Sequence, residues 1–240
     1  MRIHGKDYDR TALARLMDFA VLDPGTSRQE IEACAKTAIN YGFCGMHPNL
    51  LWAEYTADLL EGTGIETGIV AAFPFGTLST KEKVREVEDA CRAMRGRPAC
   101  VDFVTNVGAL RGGDYEIYRR DIAEVVRAGH ACGYIVKSIM ESALLTDEEL
   151  ALGCRIAAEA GVDFVKTSSG RNGSPDVRHV KIMREAVDET VGVKFAGFGG
   201  YNAAPLAILA LASGASRLGT RRADKIIEEI DRYFSDLVIE

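Results

Sequence analysis

"DFVKTSSG", residues 163–170, sets a lysine at the end of a short apolar run, directly before three hydroxyl side chains and a glycine. Side chains of a strand alternate between its faces, so if Val165 packs against a helix, Lys166 points to the opposite side. Lysine is almost never fully buried without a partner or a task. Whether that opposite side is solvent or a closed interior decides the fold.

Other stretches repeat the pattern. "VGVKFAG" (191–197) has Val193 and Phe195 on one face and Lys194 on the other, and "YIVKSIM" (134–140) puts Lys137 on the face of Ile135, Ile139 and the following Glu141. "CVDFVTN" (100–106) sets Val101 and Phe103 against Asp102 and Asn106. With "DFAVL" (18–22), "FCGMH" (43–47), "TGIVAAF" (67–73) and "SRLGT" (216–220), the strand-like runs number eight. Helical segments lie between them. In "STKEKVREVEDACRAM" (79–94), Val84, Val87, Cys91 and Met94 mark one face, charges fill the other, and Ser79 or Thr80 caps the start. "TSRQEIEACAKTAINYG" (26–42) starts at Thr26 or Ser27 and ends at Gly42. Eight strand–helix units of about 30 residues each, with no linker or low-complexity tract, predict one α/β domain over residues 1–240, a single (β/α)8 TIM barrel. A doubly wound open sheet is the alternative, but the first strand is not followed by GxGxxG.

In a closed barrel the opposite side is the interior. Lys137, Lys166 and Lys194 then enter it from three consecutive strands, beside Asp102 from a fourth, near the C-terminal strand ends where such barrels hold their active sites. A lone lysine there would snorkel to solvent. Several cations in one cavity are costly unless compensated or neutralised, and burial and a cationic neighbour both lower a lysine's pKa. A neutral amine attacks carbonyls, so the arrangement suits Schiff-base chemistry.

A net charge of −6 speaks against nucleic-acid or anionic-membrane partners and makes any phosphate contact local. The six cysteines show no CxxC pair and no zinc-type spacing, and they read as reduced thiols. The start "MRIHGKDYDRTALARLMDF" has no apolar stretch long enough for a signal peptide, and no run is long enough to span a bilayer. A cytoplasmic protein without membrane attachment is expected.

Several motifs resemble those of the deoxyribose-phosphate aldolases and occur in that family's order: "LDPGT", "FPFG" followed by Lys83 and Glu86, "VDFVTNVGAL", "VKSIMESALLTDEEL", "AGVDFVKTSSG", "VGVKFAG" and "GASRLGT". The resemblance implies a class I aldolase on a (β/α)8 barrel, a lyase of carbohydrate catabolism needing no metal or organic cofactor. Its expected reaction is reversible cleavage of 2-deoxy-D-ribose 5-phosphate to acetaldehyde and D-glyceraldehyde 3-phosphate. Lys166 would carry the Schiff base, Lys194 would be the cation that lowers its pKa, and Asp102 the acid/base. Lys137 would join the same network, and Asp18 matches an acidic residue of the first strand. Thr167, Ser168 and Ser169 either orient the sugar or satisfy the backbone. The partner is then a small aldehyde or sugar phosphate, and since such barrels often pair, a homodimer stays open.

This chain departs from the family pattern around the expected anion site. "GFGGYN" (197–202) has Gly200 where the family usually has an arginine, and "LGTRRAD" (218–224) brings Arg221 and Arg222 where the family has small hydroxyl residues. Loops after the seventh and eighth strands commonly hold phosphate in barrels. Gly197, Gly199, Gly200 and Gly219, with Gly170 and Arg171 after the sixth strand, are therefore candidate phosphate contacts with Arg221 and Arg222. The alternatives are Schiff-base aldol chemistry on another phosphorylated or carboxylated substrate, or a non-catalytic barrel that binds a carbonyl metabolite. His47 reads as a packing or surface residue, and Gly45 stands where the family often has cysteine. The tail "FSDLVIE" lacks the tyrosine that some members use as a proton donor, and Tyr233 on the preceding amphipathic helix is expected to pack.

Overall fold

The computed structural model describes residues 1–240. Its eight parallel strands are β1 (Met17–Val21), β2 (Gly45–Pro48), β3 (Glu66–Ala71), β4 (Ala99–Val104), β5 (Ile135–Ile139), β6 (Phe164–Lys166), β7 (Gly192–Ala196) and β8 (Arg217–Thr220). They pair in sequence order, and β8 closes on β1 with Leu218 opposite Met17, so the sheet is a barrel with no free edge. Each predicted run overlaps one of these strands, with ends that differ by a residue or two.

Eight main helices surround the barrel: α1 (Arg28–Tyr41), α2 (Ala53–Leu59), α3 (Thr80–Met94), α4 (Tyr115–Ala131), α5 (Asp147–Glu159), α6 (Arg178–Ala186), α7 (Ala203–Ala212) and α8 (Ala223–Tyr233). Local chemistry sets several starts. Ser27 and Glu30 form a reciprocal capping box at α1, Thr146 and Glu149 another at α5, and the Ser79 side chain accepts from Glu82 N at α3. Gly42 ends α1 in the left-handed conformation.

Strand parity falls as alternation predicts. Val101, Phe103, Val165, Val193 and Phe195 are all buried in the apolar core, whereas Asp102, Lys137, Lys166 and Lys194 are buried without belonging to it. One face thus packs on helices and the other lines the interior.

The polar face of α3 departs from the sequence reading at Lys83. This side chain is fully buried, donating to Asp121 Oδ2 of α4 at 2.6 Å and to the Val104 carbonyl of β4 at 3.0 Å. Thr80 donates to the other Asp121 oxygen at 2.8 Å. A buried ammonium is tolerable only with such partners, so the group locks two helices to the end of the strand that carries Asp102.

Both chain ends meet at the N-terminal face of the barrel. Arg2–Ile3 pairs with Lys6–Asp7 and with Val238–Ile239, and His4 Nε2 lies 3.0 Å from the carbonyl of Ala212, at the far end of α7. The tail is therefore held away from the C-terminal mouth. Tyr233 is exposed rather than packed: it lies off the buried stripe of α8 formed by Ile226, Ile227 and Ile230.

Candidate active site

Every strand sends one charged or imidazole side chain into the interior. From β1 to β4 these are Asp18, His47, Glu66 and Asp102; from β5 to β8 they are Lys137, Lys166, Lys194 and Arg217. Barrel closure brings the acidic half of the chain against the basic half.

Asp102 is the hub. Its Oδ2 accepts from Lys166 Nζ and Lys194 Nζ, each at 2.7 Å, and its Oδ1 from Lys137 Nζ at 3.2 Å. Asp18 lies on the other side of Lys194, with Oδ2 2.6 Å from that ammonium and Oδ1 accepting from Arg217 Nε at 3.0 Å. Arg217 also reaches Glu66 Oε2 at 2.5 Å. His47 Nε2 is 3.3 Å from Asp102 Oδ1 and 3.7 Å from Asp18 Oδ2.

These contacts fix the protonation of the cluster. Burial by itself would raise the pKa of Asp102, but Lys137, Lys166 and Lys194 hold it well below the carboxylate range. Asp18 behaves likewise, with burial outweighed by Lys194 and Arg217. For Lys137 burial is outweighed by Asp102, and the ammonium is stabilised. Lys166 goes the other way: burial lowers its pKa, Asp102 opposes, and Lys194 adds to the lowering. His47 is pushed down to about 4 by burial and then Lys194, and is neutral at pH 7. A charge count agrees. Four cations (Lys137, Lys166, Lys194 and Arg217) face three carboxylates (Asp18, Glu66 and Asp102), and a largely buried cluster resists a net charge. Arginine does not deprotonate and Lys137 is held charged. Of the two lysines on Asp102 Oδ2, Lys194 also faces a second carboxylate, Asp18 Oδ2 at 2.6 Å, whereas Lys166 is the one whose proton affinity burial lowers, so Lys166 gives up its proton more readily.

The C-terminal mouth opens into a pocket of about 370 Å³. Of the candidates named from sequence, Lys166, Lys194 and Asp18 line its floor, and Ser168, Gly170, Arg171, Gly197, Gly199, Gly200, Gly219 and Arg221 line its walls. Asp102 and Lys137 lie beneath it, fully buried. Gly170 and Gly197 both have positive φ, and a Cβ on Gly170 would come within 2.8 Å of Gly197 Cα, so the β6 and β7 loops touch only because both positions are glycine.

Other candidates have structural partners. Thr167 Oγ1 donates to the Ala196 carbonyl at 3.1 Å and accepts from its N–H at 3.0 Å, tying β6 to β7. Ser168 Oγ accepts from Gly170 N at 2.8 Å, and Ser169 donates from N and Oγ to Glu141, each at 2.5 Å. Arg222 is a correction to the anion-site expectation. Its guanidinium donates to the Gly200 carbonyl at 2.7 Å and reaches Glu229 at 3.3 Å, so it braces the β7 loop from outside the pocket. Arg171 and Arg221 do face the pocket. Arg171 is bound to Asp23 Oδ1 at 3.0 Å, and Arg221 lies 3.6 Å from Asp23 Oδ2.

Sequence reasoning also missed groups of the interior. His47 packs, as one of its two readings had it, with its ring against Gly68 of β3, where a Cβ would come within 2.1 Å of it, but it also lines the pocket, which the sequence did not suggest. Arg217 could have been found by extending strand parity to "SRLGT". Glu141 could not, because its role depends on a left-handed backbone (φ 51°) that turns it toward Ser169 and Asn172. His47, Cys100 and Asp102 are close enough to share a metal ion, as are Asp18, Cys44 and Glu66. In both groups, however, the carboxylates already bind ammonium or guanidinium groups that would repel one.

A closed parallel barrel with an amine of lowered proton affinity at its C-terminal mouth falls, as a class, among the barrel aldolases. The chain belongs to the DeoC/LacD family of aldolases, whose family model matches residues 9–216. It is 39% identical to the deoxyribose-phosphate aldolase of Aciduliprofundum boonei over 224 residues, covering 93% of this chain and 99% of that one. It is 37% identical to that of Thermococcus kodakarensis, covering 92% and 97%. Among solved structures, the tetrameric deoxyribose phosphate aldolase of Aeropyrum pernix superposes with a TM-score of 0.84 at 26% identity, covering 93% of this chain and 92% of that one.

Proposed function

We propose that this chain is a class I aldolase that reversibly cleaves 2-deoxy-D-ribose 5-phosphate to acetaldehyde and D-glyceraldehyde 3-phosphate through a Schiff base on Lys166, residues 1–240 acting as one barrel domain. The observation that carries the reading is the pair of lysine nitrogens, Lys166 and Lys194, on one oxygen of a buried aspartate. An aldolase needs such a site, because one amine must be free to attack while a cation and a proton carrier stand beside it. The names of the relatives support the substrate.

In the cleavage direction the neutral Lys166 amine adds to the C1 aldehyde carbon of the open-chain sugar and gives a carbinolamine. Asp102 relays the protons that let hydroxide leave as water. The iminium then draws the electrons of the C2–C3 bond as the C3 hydroxyl loses its proton, releasing D-glyceraldehyde 3-phosphate and leaving an enamine. Protonation of the enamine at its terminal carbon and hydrolysis return acetaldehyde and the free amine. Lys194, held between Asp102 Oδ2 and Asp18 Oδ2, stands beside the reacting nitrogen throughout.

The phosphate belongs at the wall formed by the Gly197–Gly200 loop, Gly170 and Gly219, with Arg221 and Arg171 as the cations. A carboxylate substrate would use the same donors, but a dianion takes better advantage of two arginines. A reducing, cytoplasmic setting suits six cysteines that are all free, and no helix is long and apolar enough to cross a membrane. The tetramer of the Aeropyrum pernix relative supports self-association.

The test is borohydride reduction with acetaldehyde followed by peptide mapping, together with a coupled assay of 2-deoxyribose 5-phosphate cleavage. The adduct is expected on Lys166, and Lys166→Leu is expected to fold but not turn over. An unmodified Lys166 in fully recovered chain would sink the reading.

A further inference from the structure

The floor of the barrel holds an ion pair that the reaction does not touch. Arg217, on β8, is buried at 8% exposure and does not line the substrate pocket. Its guanidinium holds Asp18 Oδ1 at 2.9–3.0 Å through two nitrogens and Glu66 Oε2 at 2.5 Å. The second oxygen of Asp18 faces Lys194, which shares Asp102 Oδ2 with Lys166. A continuous chain of charge contacts thus runs from Glu66 at the bottom to the reactive amine at the top.

We propose that Arg217 and Glu66 are positioning residues that act through Asp18 to set the fraction of Lys166 that carries no proton. The inference rests on the aldolase reading for its purpose, but its physical content does not.

The argument is the balance of charge in a volume that water barely enters. The ionisable groups around and below Lys166 are Asp18 from β1, His47 from β2, Glu66 from β3, Asp102 and Cys100 from β4, Lys137 from β5, Lys194 from β7 and Arg217 from β8, with Cys44 just before β2. Above it Asp23, Arg171 and Arg221 line the pocket wall, where they are exposed and screened by water. The two thiols are uncharged, burial holding the Cys44 pKa up at about 11 and the Cys100 pKa up at about 12, and His47 is neutral. With Lys166 protonated the remaining groups leave one positive charge in excess, and releasing its proton removes that excess. Arg217 is the cation that creates it. Without Arg217 the cluster would balance with Lys166 charged, and Asp18 would turn its whole charge toward the lysines. Glu66 works in the opposite sense, since its carboxylate offsets part of the arginine.

Opposite signs make the idea testable. Arg217→Met should move the acid limb of Lys166 trapping by acetaldehyde and borohydride toward alkaline pH by about one unit, an about tenfold loss at a pH below both limbs. Glu66→Gln should move it to lower pH, by less, because Glu66 is partly exposed. Arg217→Met with Glu66→Gln restores the original excess and should return the limb toward wild type, and Arg217→Lys should stay close to wild type because it keeps the charge. A merely structural arginine would lower activity at every pH without displacing the limb. Should Arg217→Met fail to fold, Glu66→Gln carries the test, since it leaves the arginine on Asp18. Titration of the Lys166 nitrogen by NMR of lysine-labelled chain reads the same shifts without chemistry. Wild-type chain that traps nothing would therefore refute the aldolase reading, while limbs that stay put, or move together in both single variants, would refute the role of the pair.

Discussion

Lys194→Met is the most direct probe of why the Lys166 amine is free. Both nitrogens lie 2.7 Å from the same Asp102 oxygen, so they are no farther apart than twice that distance. Two unit charges about 5 Å apart repel by about 3 kcal/mol at an effective dielectric constant of about 20. That corresponds to about two pKa units, so removing the Lys194 charge should raise the Lys166 pKa by about that much. The same substitution also leaves Asp18 Oδ2 and Asp102 without one of their cations, and both carboxylates then favour the protonated amine, which acts in the same direction. At pH 7 the population of attacking amine should fall about a hundredfold and recover as pH rises through the new value. The assay is kcat/KM for 2-deoxyribose 5-phosphate cleavage between about pH 6 and 10, with borohydride trapping at each pH. A rate reduced by the same factor at every pH, with the acid limb where wild type has it, would refute the reasoning, since Lys194 would then act by contact with substrate and not through its field.

His47 makes a stability prediction whose sign follows from its burial. Its folded pKa of about 4 lies below the unfolded value near 6.5, so the unfolded chain binds the extra proton first, and stability is lost as pH falls through that window. His47→Gln should remove on the order of 2 kcal/mol of that acid sensitivity in denaturant melts at pH 7 and pH 4.5; equal losses in the two proteins would count against it. Arg221→Ala should raise KM for the phosphorylated sugar by about tenfold with kcat little changed, while cleavage of unphosphorylated 2-deoxyribose stays as it was; steady-state kinetics on both sugars decide it. Lys83→Met leaves the Asp121 carboxylate buried beside Thr80 with its cation gone, and should cost about 3–5 kcal/mol in urea unfolding; a loss under about 1 kcal/mol would mean that water replaces the ammonium.

The barrel was legible because its signal is local. Alternation in runs such as "VGVKFAG", caps at Ser27 and Ser79 and the glycine after α1 depend on residues a few positions apart, and the same alternation told which face of β4, β6 and β7 was inward. The reactive lysine and its two principal neighbours could therefore be named from parity and family resemblance together.

What the sequence could determine by itself was the order of strands and helices and the kinds of side chain sent inward. Only the tertiary structure decided which of them touch, because the partners of Asp102 lie 35, 64 and 92 positions away and Arg217 meets Asp18 across 199. Register and closure set those distances to a few tenths of an ångström, and Coulomb energy in a dry interior depends on distance and on the full set of neighbours. So His47 became part of the site, Arg222 turned away from it and Glu141 was drawn to the Ser169 loop. A one-dimensional pattern can say that a lysine is buried, but whether it keeps its proton is a property of the whole enclosed set of charges.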